Sequence, residues 1–130
     1  MSGLEWVRWV HLVAASVWTG GLIVLAALVV ALRKAGVDVE VLRATARQFG
    51  RVSWTAMAVA LVTGVAQVHM MGMAWSYGRL HWKLGLVALV VVAALYHQLT
   101  ARKSSPAVRG IIQLVILVLS LAVFAAAVHL

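Results

Sequence analysis

Four long blocks of predominantly apolar residues run from about Leu4 to Leu32, Phe49 to Met73, Leu80 to Ala101 and Val108 to His129. A helix needs about twenty such residues to cross the hydrocarbon core of a bilayer, and a soluble fold of this size could not hide four of them. With 65% of residues hydrophobic, 11% charged and a mean hydropathy of +1.04, the solvent for most of the chain is lipid. Each block is continuous and lacks the period-two alternation of a barrel strand, so the blocks are read as helices. The expected fold is an all-α membrane protein, a four-transmembrane-helix antiparallel bundle forming a single domain over residues 1–130. Secreted modules, soluble α/β enzymes and nucleic-acid-binding domains are excluded.

Lysine and arginine set the expected orientation. Arg33, Lys34, Arg43, Arg47, Arg51, Arg102, Lys103 and Arg109 fall on one side of the bilayer, against Arg8, Arg79 and Lys83 on the other. Cytoplasmic loops carry the excess of positive charge, so both termini are expected outside the cytoplasm. Residues 35–48 mix acidic and basic side chains and read as an interfacial amphipathic connection on the cytoplasmic side. Trp6, Trp9, Trp75, Tyr77 and Trp82 gather at the outer boundary as an aromatic belt. Glu5, Arg8 and the length of the first block do not fit a cleavable signal peptide, so the first helix is expected to be retained.

Ionisable residues within membrane spans are costly and therefore mark functional candidates. Five histidines qualify. His11, His69, His81 and His129 fall toward the outer face, one on each helix, and His97 lies alone near the cytoplasmic end. His11 is the deepest of the outer four, beside Ala14 and Ala15 and one heptad from Trp18. The chain has no cysteine, so a metal must be held by histidine, methionine or oxygen.

Two cofactor chemistries suit these residues. A b-type haem needs imidazoles from two helices and small residues that make room for the macrocycle. His11 and His81 are the candidate iron ligands, with Gly85 one turn from His81; Arg8, Arg79 and Lys83 are candidate partners for the haem propionates. Copper is the alternative, because His69, Met70 and Met73 crowd soft donors into the outer rim of the second helix. His97 is about 24 Å along the helix from His81 and cannot share its iron. One haem per chain is therefore expected, with His97 as an interfacial or hydrogen-bonding residue. Gln113 and Ser120, a heptad apart on the last helix, read as polar packing contacts.

The stretch Trp9-Val10-His11 through Trp18-Thr19-Gly20-Gly21 resembles the first helix of the copper-resistance protein D (CopD-like) membrane domain. Phe49-Gly50-Arg51 leading to Thr63-Gly64, and Tyr77-Gly78-Arg79-Leu80-His81-Trp82-Lys83-Leu84, look like its second and third helices. The His81-Trp82-Lys83 pattern, with Tyr96-His97 further on, is also similar to the related HemJ-type protoporphyrinogen oxidases, which are small b-haem membrane proteins. The resemblance covers about residues 4–103 and implies a multi-pass protein of the bacterial inner membrane. It implies a haem-binding redox or electron-transfer subunit working with a redox partner or within a larger complex, a copper-transporting protein, or an oxidase. The oxidases carry an acidic residue early in the last helix, where Gln113 stands here.

Overall fold

A computed structural model describes residues 1–72, 78–100, 103 and 105–128. The described residues form four helices and no strand: α1 (Gly3–Lys34), α2 (Val39–Met70), α3 (Gly78–Thr100) and α4 (Pro106–Val128). Each is long and apolar enough to cross a membrane. The chain divides into two compact units, Met1–Met73 and Ala74–Leu130, each a helical hairpin. Met73, Trp75, Tyr77, Arg102 and His129 lie outside the described residues.

In the first hairpin, Ser2 caps α1 by accepting from the Glu5 amide at 3.2 Å. The helix stops at Gly36, whose φ of +74° is the left-handed value that a side chain disfavours. The Val37 amide reaches back to the Leu32 carbonyl at 3.3 Å and the Gly36 amide to Arg33 at 3.1 Å, so the last carbonyls are satisfied as the chain reverses. Helix α2 then starts at once from Asp38, well upstream of the apolar block that begins near Phe49. The segment Val39–Gln48 is polar but rich in helix formers such as Leu42, Arg43, Ala44 and Ala46. It continues the membrane helix without a break. Helices α1 and α2 have 32 residues each, which is about 48 Å of helix against roughly 30 Å of hydrocarbon.

In the second hairpin α3 and α4 have 23 residues each, about 34 Å, which matches the hydrocarbon thickness closely. Pro106 opens α4, where its missing N–H costs nothing, and the Ser105 hydroxyl accepts from the Val108 amide at 3.3 Å. The core of this hairpin is Leu80, Val90, Ala94 and Ile116, with Ser120 turned back onto the Ile116 carbonyl at 2.8 Å. Exposed leucines, isoleucines and valines cover all four helices, as expected of faces that meet lipid.

Candidate functional site

His11, Ala14 and Trp18 follow one another at helical spacing, and the face they form on α1 turns toward α2. Ala14 and Trp18 are each 6% exposed, and Trp18 meets Trp54 of α2 edge-on with ring centroids 5.6 Å apart. Opposite them, α2 presents Ala56, Ala60 and Gly64, small residues four positions apart that let two helix backbones approach closely. The His11 ring lies in that seam. A side chain at Gly64 would place its Cβ 3.3 Å from His11 Cε1, so glycine is what allows the ring to lie against α2.

His11 Nδ1 is 2.8 Å from the Ala60 carbonyl oxygen and 3.0 Å from Thr63 Oγ1. A carbonyl can only accept, so the ring proton sits on Nδ1 and the lone pair on Nε2. The Thr63 hydroxyl agrees with this assignment. Its own proton goes to the Val59 carbonyl at 2.7 Å, leaving its oxygen to accept from His11. One imidazole at membrane depth is thus fixed in orientation and tautomer by the neighbouring helix. This is the arrangement by which ligand histidines are held ready for a metal. Ala60 and Thr63 were not foreseen as its partners; the spacing of Ala56, Ala60 and Gly64 was the signal that could have found them.

His81 lies in the first turns of α3, exposed, in a shallow groove formed with Gly78, Trp82, Gly85, Leu86 and Leu89. Among the described residues, and apart from the local backbone of α3, no heavy atom stands within 4 Å of where a Gly85 side chain would begin, so this flank of α3 is open. Arg79 belongs to the same turn, Lys83 is half-buried, and Arg8 is exposed on α1. His69 and Met70 end α2, both exposed, and the tip of Met70 packs near Gly3. Met73, the third member of the expected copper set, is outside the described residues. Among the described residues no three His, Cys, Asp or Glu side chains cluster as a metal cage.

At the other end of the second hairpin His97 Nε2 meets the Gln113 side-chain nitrogen at 3.1 Å, in keeping with a hydrogen-bonding role for His97. Gln113 and Ser120 therefore serve different partners, His97 and the Ile116 carbonyl. Compared with known protein families, with curated proteins and with solved structures, the chain matches none.

Proposed function

We propose that the chain is a multi-pass protein of the bacterial inner membrane that binds b-type haem and acts as a redox or electron-transfer subunit. The observation that carries this reading is the 2.8 Å hydrogen bond from His11 Nδ1 to the Ala60 carbonyl, which leaves Nε2 as the nitrogen with ligand character. The chemistry of an imidazole oriented through Nδ1 suits a ligand of haem iron. His11 would hold the iron through Nε2, His81 is the candidate for a second iron ligand, and Arg8, Arg79 and Lys83 would be the cations for the propionates.

Bound haem would supply one-electron chemistry at its iron. The chain's own contribution is to hold the His11 ring. Ala60 and Thr63 take its Nδ1 proton, Gly64 lets the backbone of α2 close on it, and Trp18 with Trp54 packs the seam two turns below. An orientation with both termini outside the cytoplasm is supported by Arg33, Lys34, Arg43, Arg47 and Arg51 at the turn end of the first hairpin and Lys103 and Arg109 at that of the second. An electron carrier of this kind needs a redox partner, either free or as another subunit of a larger complex.

The absorption spectrum of the purified protein tests the proposal. One haem per chain, with a Soret band and sharp reduced α and β bands, is the expected result. Copper at His69, Met70 and Met73 is the second reading, favoured by the exposure of His69 and Met70 at one helix end. Stoichiometric copper with no Soret band would select it and reject haem. A HemJ-type oxidase fits less well, because Gln113 holds a neutral contact to His97 where that family places an acid.

A further inference from the structure

On one flank of the first hairpin, α1 and α2 frame an open groove of about 390 Å³. Ala14 and Val17 of α1 form one wall, and Val52, Thr55 and Ala56 of α2 the other, with Arg51 at the end nearer the turn between the helices. Val17 is 39% and Val52 47% exposed, and Arg51 is exposed too, so the groove and its cation can be reached from outside the helix pair. The Thr55 hydroxyl donates to the Arg51 carbonyl at 2.7 Å, which leaves the guanidinium as the free side-chain donor of the lining.

Arg51 stands about 28 Å along α2 from Met70, close to the roughly 30 Å of a hydrocarbon core. With the Met70 end at one face of the bilayer, Arg51 meets the other, and the groove leads from it into the apolar interior. Arg43, Arg47 and Arg51 recur every four residues and so form one stripe on α2. Arg43 is engaged with Glu40 at 3.2 Å, whereas Arg51 has no carboxylate partner among the described residues. A cation at the hydrocarbon boundary with an apolar cleft running inward from it is complementary to a lipid, whose charge lies at that boundary and whose chain lies below it. An apolar helix seated in the same groove would leave the guanidinium without an acceptor, which is costly at this depth.

We propose that this groove binds an anionic phospholipid of the leaflet at the turn end of the hairpin, with the phosphate on Arg51 and the upper part of an acyl chain along Val17, Val52 and Ala56. The guanidinium supplies a charge-assisted donor to the phosphate oxygens. Ala14 and Ala56 are small enough to leave room between the helices for the chain. The site stands on the first hairpin alone and does not rest on the haem reading.

Native mass spectrometry of the full chain, released from detergent with added phosphatidylglycerol or phosphatidylcholine of matched chains, tests it. The wild type should retain phosphatidylglycerol in preference to phosphatidylcholine, and Arg51→Gln should weaken that retention about fivefold, the effect of one cation near a membrane surface. Val52→Trp keeps the charge but fills the groove, and should weaken retention as well. Arg33→Gln removes the same charge from the exposed end of α1 and should leave retention unchanged. Arg51→Lys keeps the charge and should retain more lipid than Arg51→Gln. Equal retention by wild type and Arg51→Gln, or an equal loss in Arg33→Gln, would overturn the proposal. A dimer without bound lipid that Val52→Trp disrupts would overturn it in favour of a second copy of the chain in the groove.

Discussion

In the first hairpin the helices have 32 residues each and meet through a ridge of small residues, a tryptophan pair and a histidine bonded across the seam. In the second they have 23 residues each and meet through aliphatic side chains, with a polar contact between His97 and Gln113 among the described residues. All three carboxylates of the chain belong to the first. Lipid is as apolar as leucine, so helices in a membrane gain little from burying leucine against leucine. Close packing and interhelical hydrogen bonds must hold them together. The first hairpin has both, and its polar contact fixes a ring in one tautomer. That rigidity is what a ligand position requires, and the second hairpin shows no counterpart at His81, which is exposed.

Substitutions that attack each seam can break this contrast. The largest effect is expected for Trp18→Ala. The transfer contribution to side-chain burial is small in lipid, but the cavity opposite Trp54 remains, and the first hairpin should lose about 3 kcal/mol. Unfolding in mixed micelles of increasing SDS content would measure it, and a loss no larger than that of an exposed residue such as Trp82 would show that the tryptophan pair does not join the helices. A much smaller effect is expected for Gln113→Leu, about 0.6 kcal/mol, the usual value of an interhelical hydrogen bond in a membrane protein. If Gln113→Leu proved as damaging as Trp18→Ala, the two seams would not differ in the way described.

Much of the fold was legible because lipid imposes a simple rule. Four apolar blocks gave four helices, and the turn residues Gly36 and Pro106 stand where α1 ends and α4 begins. The early start of α2 was not legible from hydropathy, which registers only what lies in lipid. Residues Val39–Gln48 are helical through local propensity and continuity with the span, although their composition reads as a connection. At the site, His11 stood out because a histidine in so apolar a stretch has few bland explanations. Its main partner did not, because the acceptor is a backbone carbonyl, and every residue has one. For Gln113 the polar role was legible but its partner was not, since a heptad relation to Ser120 says nothing about what the facing helix offers.

The central claim is that the first hairpin presents His11 Nε2 as a ligand to haem iron. Haem content of purified His11→Ala, compared with wild type and with His129→Ala, tests it most directly. Loss of one imidazole ligand would make the iron exchangeable, so His11→Ala should lose most of its haem while His129→Ala keeps it. Haem retained at the wild-type level in His11→Ala, with its helical content intact, would contradict the claim and leave His11 as a hydrogen-bonded link between two helices.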